Sequence, residues 1–98
     1  MVELRLSVAA RADLASIDEY GARQFGDDVA DAYSRSFAKA FDLLCGHPEL
    51  GEARPRLGIG MRCLIHRRHR IFYRVEEESL LVVRILHHAQ DSRRHLRR

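Results

Sequence analysis

The sequence is short of several residue types, and each shortage excludes a class of protein. Its 98 residues include no tryptophan, two prolines and two cysteines. Cys45 and Cys63 cannot by themselves build a disulfide framework, so we expect reduced thiols and a cytoplasmic location. The longest apolar run, Leu80–Val83, has four residues, whereas a membrane-spanning helix needs about 20. No apolar segment follows the N-terminus, so the sequence predicts neither a secretory signal nor contact with a membrane.

Lysine is almost absent as well, because sixteen of the seventeen basic residues are arginine. Residues 1–53 carry ten acids and five bases, a net charge of −5, while residues 54–98 carry four acids and twelve bases, a net charge of +8. The guanidinium group favours planar, two-point contacts with phosphate or carboxylate. The C-terminal half therefore either meets an anionic partner, nucleic acid or an acidic protein segment, or presents a solvated basic face.

The first quarter of the chain predicts a short strand followed by a helix. Val2–Val8 alternates apolar and charged residues, as a strand with one buried face does. Ser7 is a plausible N-cap for the helix Ala9–Phe25. The apolar stripe of this helix consists of residues at three- and four-residue spacing, namely Ala10, Leu14, Ile17, Tyr20, Gly21 and Phe25.

A second helix is predicted directly after the first. Gly26 ends the first helix, and the second, Asp28–Cys45, is expected to have an aspartate cap, either Asp27 or Asp28. Helices joined by so short a link form an antiparallel hairpin.

The stretch 61–88 predicts an antiparallel meander of three strands. Met61–His66, His69–Val75 and Leu80–His88 are rich in β-branched and aromatic residues and contain neither glycine nor proline. The connections between them are short enough for hairpins. The last strand carries apolar residues on both of its faces, interrupted only by Arg84, so we expect it to be central in the sheet.

Together these elements predict one α+β domain over residues 1–98 with the order β-α-α-β-β-β. The helical hairpin is expected to pack on one face of a largely antiparallel sheet, and the other face is expected to be partly open. The sequence does not determine which strand lies beside the first one. Residues 89–98 form a basic tail that is either mobile or adds one helical turn.

Six short motifs follow one another along the chain. They are L-x-x-x-A-R-A-D-L-x-x-I-x-x-Y at Leu6–Tyr20, Phe25-Gly26 with Ala32-Tyr33, H-P-E-L-G at His47–Gly51, G-M-R ending at Arg62, H-R-I-F-Y-R at His69–Arg74, and V-R-I-L-H-x-x-x-D at Val83–Asp91. In this order they resemble the ParE branch of the RelE/ParE toxin superfamily. The resemblance covers nearly the whole chain.

The resemblance implies a bacterial, cytoplasmic toxin of a type II toxin–antitoxin system, held inactive in a hetero-oligomer by a ParD-like antitoxin. It also implies that the toxin poisons DNA gyrase by binding, without enzymatic chemistry, a cofactor or sequence-specific DNA binding of its own. RelE-like relatives on the same fold are ribosome-dependent mRNA endoribonucleases, which is the leading alternative. A degenerate, non-toxic module that only binds the antitoxin is the third reading.

Arginines are the first candidates for contact with an antitoxin or a target. We expect a basic surface on the sheet, formed by Arg62, Arg70 and Arg74, and a basic arm in the tail, formed by Arg93, Arg94, Arg97 and Arg98. The tail is otherwise only a solvated end. Arg84 lies in an apolar strand, where a charge must be paired. For Arg84 the sequence therefore favours structural pairing, with Asp13, Asp18 or Asp91.

A nuclease reading has its own candidates, His87, Arg62 and Arg84. RNA cleavage needs a base for the 2′-hydroxyl, an acid for the leaving oxygen and cations for the phosphorane charge. His87 and His88, adjacent at a strand end, are expected to point to opposite faces, so that at most one serves such a site. The sequence favours binding over catalysis, because no tyrosine follows Tyr73 and the only lysine is Lys39.

No metal site is predicted. Cys63, His66 and His69 have the spacing C-x2-H-x2-H, but Cys63 and His66 are three positions apart on one strand and so face opposite ways. Cys45, on an apolar helical stripe, is expected to be a buried apolar group rather than a nucleophile.

Overall fold

The structure, a computed structural model, describes residues 2–90 and Leu96. Its elements are β1 (Glu3–Leu6), α1 (Val8–Phe25), α2 (Asp27–Gly46), β2 (Glu52–Ala53), one 3-10 turn (Pro55–Leu57), β3 (Met61–His66), β4 (His69–Val75) and β5 (Ser79–His87). The five strands form one sheet in the order β1-β5-β4-β3-β2. In the described part of the chain, no helix is long and apolar enough to cross a membrane.

The predicted α+β architecture, with a helical hairpin on one face of the sheet, is confirmed. Strands β3, β4 and β5 form the antiparallel meander, and β5 is central because β1 pairs with it in parallel on its other side. The structure adds one strand that the sequence did not predict, the two-residue β2, which pairs antiparallel with β3.

The first strand is shorter than predicted, and its apolar face is only partly buried. Val2 and Leu6 pack against the core, whereas Leu4 is 37% exposed, and Val8 belongs to α1 and is 87% exposed. The strand ends early because the side-chain oxygen of Ser7, the predicted cap, accepts a hydrogen bond from the Ala10 N–H at 2.9 Å.

The cap of the second helix also differs from the prediction. Gly26, at a φ of 91°, ends α1 and is itself the N-cap of α2, with no side-chain hydrogen bond. Asp27 and Asp28 lie in the first turn of α2 instead, where their charges interact favourably with the helix dipole.

Two apolar clusters hold the layers together. The larger one lies between the hairpin and the sheet and joins Phe37, Phe41 and Leu44 of α2 to Ile71, Tyr73, Leu80, Val82 and Ile85. The smaller one lies on the other face of the sheet and contains Met61, Cys63, Phe72 and Leu86. Leu57 and Leu96 pack against the smaller cluster, so this face is partly covered.

Tyr73 fixes the loop that follows α2. Its side chain is fully buried, its hydroxyl donates to the Pro48 carbonyl at 2.7 Å, and it accepts from the Gly51 N–H at 2.8 Å. A Cβ at Gly51 would lie 2.6 Å from the hydroxyl oxygen. Only glycine therefore allows this close approach of the loop to the sheet.

Removal of the Tyr73 hydroxyl should destabilise the fold. In Tyr73→Phe the buried Gly51 N–H and Pro48 carbonyl lose their partner, which costs about 1–3 kcal/mol. Urea denaturation should show a lower midpoint, whereas Tyr20→Phe, which changes an exposed tyrosine, should leave the midpoint unchanged. Equal midpoints for the two variants would contradict this role of Tyr73.

Candidate partner-binding groove

The four arginines of the predicted strands do not share one surface. Arg62 lies opposite Tyr73 and donates to the Gly51 and Glu49 carbonyls at 2.7 and 3.2 Å. Arg70 and Arg74 are each two residues from Phe72 on β4 and therefore share its face of the sheet, beside the smaller cluster. This face is the one opposite to Arg62. Arg74 also pairs with Glu76 at 3.3 Å. Arg62 thus helps to hold a loop, and Arg70 and Arg74 remain as basic groups on the partly covered face.

Arg84 forms a two-point ion pair with Asp13 of α1. Its Nε and Nη2 donate to the two carboxylate oxygens at 2.8 and 2.9 Å. Donating to the Asp13 carboxylate raises the pKa of the guanidinium further above its usual value. This pair ties the first helix to the central strand. Of the other two predicted partners, Asp18 accepts a hydrogen bond from the Ser34 hydroxyl at 3.0 Å, and Asp91 lies outside the described residues.

The arginines of the tail also lie outside the described residues. They are Arg93, Arg94, Arg97 and Arg98. Their proposed role as a basic arm therefore stays a prediction.

The residues of the nuclease reading are spread over the sheet. His87 lies opposite His69, whereas Arg62 lies opposite Tyr73, four residues further along β4, which is a separation of roughly 13 Å along the strand. Arg84 is engaged by Asp13. The expectation that His87 and His88 point to opposite faces is wrong, because β5 ends at His87 and the two rings lie 4.3 Å apart.

A groove that the sequence did not predict opens between the hairpin and the turn that joins β3 to β4. Its volume is about 800 Å³. The hairpin wall is mostly apolar and includes Ile17, Tyr20, Phe25, Val29 and Ala32, and the opposite end is formed by Arg67, Arg68, His69 and His87. Tyr20 and Phe25 belong to the apolar stripe predicted for the first helix, yet they are 57% and 63% exposed. The apolar stripe of α1 is therefore only partly covered by the sheet.

Aromatic rings meet at the inner end of the groove. The Tyr33 hydroxyl lies 2.7 Å from Nδ1 of His69, and the Tyr33 ring is stacked on His66. The Ser36 hydroxyl donates to the Tyr33 carbonyl, so it accepts from Nε2 of His66 at 2.8 Å. The Arg67 guanidinium lies 5.6 Å from the centre of the Tyr33 ring, within reach of a cation–π interaction.

Burial keeps the groups of this cluster neutral. It lowers the pKa of His69 to about 4, with further lowering from the neighbouring His87, His66 and His88. Burial and the charge of Arg67 lower the pKa of His66, and burial raises the pKa of Tyr33. The cluster can therefore donate and accept hydrogen bonds near neutral pH without charge on His69.

Metal binding finds no support in the part of the chain that the structure describes, where no three His, Cys, Asp or Glu side chains converge as metal ligands. Cys63 is buried in the smaller cluster, and burial raises the pKa of its thiol. The thiol of Cys45 is likewise buried, and burial raises its pKa.

Comparisons with known proteins agree on one family. The family model of the ParE toxin of type II toxin–antitoxin system, parDE, matches residues 4–92. Toxin ParE1 of Caulobacter vibrioides is 32% identical to this chain over 96 residues, which cover 98% of this chain and 99% of that protein.

Two solved structures share the fold. The chromosomal ParDE TA system from P. aeruginosa matches with a TM-score of 0.76 at 24% identity, over 89% of this chain and 96% of that one. The toxin–antitoxin complex RelBE2 from Mycobacterium tuberculosis matches with a TM-score of 0.63 at 22% identity, over 91% of this chain and 93% of that one.

The neutral state of His69 predicts how stability depends on pH. An unfolded histidine takes up a proton below about pH 6.5, whereas folded His69 resists protonation until about pH 4. Acid therefore favours the unfolded state in this window, and the stabilisation is fully present only above about pH 6.5. Because the ring is partly exposed to solvent, we expect His69 to contribute about 1–2 kcal/mol of pH-dependent stability.

The measurement compares the wild type with His69→Gln by urea denaturation at pH 7 and pH 4.5. The difference in free energy of unfolding between the wild type and the variant should be smaller at pH 4.5 than at pH 7, by about 1–2 kcal/mol. Parallel losses in the two proteins would show that His69 is not the group responsible.

Proposed function

The chain belongs to the ParE toxin family of type II toxin–antitoxin systems, and from that premise we propose that an acidic, amphipathic segment of a ParD-like antitoxin binds in the groove. We further propose that the free toxin acts in the bacterial cytoplasm and inhibits DNA gyrase by binding. The groove is the observation that carries the first part of this proposal.

The hairpin wall has the chemistry of a helix-binding surface. Tyr20, Phe25 and Val29 are each more than half exposed, although burial of such a side chain is worth about 1.5–3 kcal/mol. An amphipathic helix places apolar residues three and four positions apart and would cover this wall in one groove. The two solved structures that share the fold support an antitoxin as the partner, since one is a ParDE system and the other a RelBE2 toxin–antitoxin complex.

The charges of the groove favour an acidic segment. Arg67 and Arg68 form one end, and Asp28 is the acidic group among the lining residues. Steering by complementary charge accelerates association and selects the partner. Acidic side chains of the proposed antitoxin segment would complement the positive charges of Arg67 and Arg68.

Inhibition by binding is supported by the way the nuclease candidates are engaged. Arg62 holds the loop that Tyr73 also holds, and Arg84 is paired with Asp13, so neither is directed with His87 at a common point. One observation supports the endoribonuclease alternative. The ring centres of His69 and His87 lie 5.5 Å apart, beside Arg67 in a concave groove. Two imidazoles and a cation are groups that RNA cleavage can use.

A charge placed on the hairpin wall should weaken antitoxin binding. Val29 is 52% exposed in the groove, and Leu43 of the same helix is 50% exposed outside its lining. Val29→Asp removes an apolar contact and introduces an unpaired carboxylate, so we expect the Kd for the product of the adjacent antitoxin gene to rise about tenfold or more. Leu43→Asp is the matched control and should leave the Kd within about twofold, a range set by the small effects usual for surface changes.

Calorimetry on the purified proteins measures both Kd values. Equal losses in the two variants would place the antitoxin elsewhere on the toxin. Failure of the wild-type toxin to bind the antitoxin would refute the proposed partner altogether.

The target is tested with His87→Ala in two assays run side by side, gyrase supercoiling and ribosome-dependent mRNA cleavage. We expect the wild-type toxin to inhibit supercoiling and to cleave no transcript, and His87→Ala to retain most of the inhibition. Transcript cleavage that disappears in His87→Ala would establish the endoribonuclease alternative. Inactivity in both assays, with intact antitoxin binding, would identify a non-toxic binding module.

A further inference from the structure

The turn between β3 and β4 keeps an arginine in a conformation that favours glycine. Arg67 has a φ of 55° and is the first residue of a two-residue hairpin connection. Positive φ at this position is normally supplied by glycine or asparagine, and the left-handed conformation costs another L-residue roughly 1–2 kcal/mol. Strain of this kind is concentrated at functional sites, which directs attention to the Arg67 side chain.

Arg67 and Arg68 differ from many other arginines of the chain in their pairing. Arg5, Arg23, Arg54, Arg74 and Arg84 each form an ion pair with a carboxylate. Among residues 2–90, no carboxylate pairs with Arg67 or Arg68, and both line the groove. Two arginine side chains thus line the end of a concave surface, and neither has a carboxylate partner among the described residues.

The neighbouring imidazoles present their remaining N–H groups as donors. A phenol hydroxyl is a stronger donor than an imidazole N–H, and an imidazole nitrogen is a stronger acceptor than a phenol oxygen. The Tyr33 proton is therefore directed to Nδ1 of His69, 2.7 Å away. Nε2 of the neutral His69 ring therefore carries the hydrogen. In His87 the Ala89 N–H donates to Nδ1 at 3.3 Å, which also leaves the proton of a neutral ring on Nε2.

We propose that Arg67, Arg68, His69 and His87 form a carboxylate-binding site, occupied by a Glu or Asp side chain of the antitoxin segment that lies in the groove. This inference rests on the proposed function and adds to it the contact that sets the direction of the bound segment. Arginine forks and N–H donors match the two oxygens of a carboxylate. Asp28, at the hairpin connection, repels an acidic group at the other end of the groove, so the reverse orientation is disfavoured.

A carboxylate on a protein segment fits the whole groove better than a phosphodiester does. The occupant of the arginine end must also cover Tyr20, Phe25 and Val29, which an amphipathic helix does along one face. Two of these side chains are aromatic and Val29 is aliphatic, so the wall suits apolar side chains as well as stacked bases. Asp28 lies beside them and repels a chain of phosphates. RNA is therefore the competing occupant that the experiment must distinguish.

The experiment measures the affinity of the toxin for the purified product of the adjacent antitoxin gene. In the double variant Arg67→Asn with Arg68→Ser, asparagine tolerates positive φ, so the turn is kept while both charges are removed. The matched control, Arg35→Ser with Arg56→Ser, removes two exposed charges outside the groove lining. We expect the Kd to rise about tenfold or more in the groove variant, as the loss of charge-assisted hydrogen bonds implies, and to change less than about twofold in the control.

The same titration at high salt and with RNA separates the remaining outcomes. The loss should persist in part at high salt, because contacts inside a groove are screened less than exposed charges. Equal Kd values for the two double variants overturn the carboxylate site while leaving antitoxin binding intact. Wild-type toxin that does not bind the antitoxin overturns the proposed function and this site together. An RNA oligonucleotide that binds the wild type and not the groove variant, without competition by the antitoxin, also overturns the inference.

Tyr33 is a positioning residue in this proposal, and its test has a separate readout. Long-range ¹⁵N spectra of the wild-type toxin should show the His69 proton on Nε2 alone. Tyr33→Phe keeps the ring beside His66 and removes the hydroxyl, so His69 should populate both tautomers and the Kd should rise severalfold. An unchanged Nε2 tautomer with an unchanged Kd would show that Tyr33 does not position His69.

Discussion

The carboxylate of Asp13 is the contact on which the arrangement of helices and sheet depends. Strand β1 pairs with β5 only as far as Val82, so the edge of β5 beyond that point needs other partners. The Ser7 hydroxyl donates to the Val83 carbonyl at 2.7 Å, and the Ile85 N–H donates to Asp13 at 2.8 Å. Because Asp13 also binds Arg84 through two hydrogen bonds, α1 is fixed along this edge.

The groove follows from where each helix is held. Near its beginning α1 is fixed by Asp13, and α2 is fixed in its second half, where Phe37 and Leu44 are buried. The helices touch each other closely between these points, since a Cβ at Gly21 would lie 3.4 Å from the Ala30 side chain. Towards the connection at Gly26, the apolar stripe of α1 is left largely exposed in the described structure, at Tyr20 and Phe25. The exposed wall is thus a consequence of the fold rather than of an added loop.

The sequence predicted the elements well and the groove not at all. Helix stripes, glycine and serine caps and strand composition are local properties, and they gave the hairpin and the meander within about two residues at each end. The groove depends on how the hairpin packs against the β3–β4 turn and the end of β5, and local sequence patterns do not contain that packing. His66 and His69 flank a short predicted turn and were recognisable as neighbours, but His87 joins them only through the register of β4 with β5. The arginines show the same limit, because spacing gives no sign of which carbonyl or carboxylate each one meets.

Binding and folding are linked in a domain of this size. A chain of 98 residues has roughly 5–15 kcal/mol of stability, and this one leaves Tyr20, Phe25 and Val29 in water and strains Arg67. These features lower the stability of the free domain, and a ligand that covers the wall would remove the three apolar side chains from water. A partner present at a thousand times its Kd would add about 4 kcal/mol to the folded state. In the proposed complex, the surface that makes the isolated domain less stable is therefore the one that the antitoxin covers and through which it stabilises the fold.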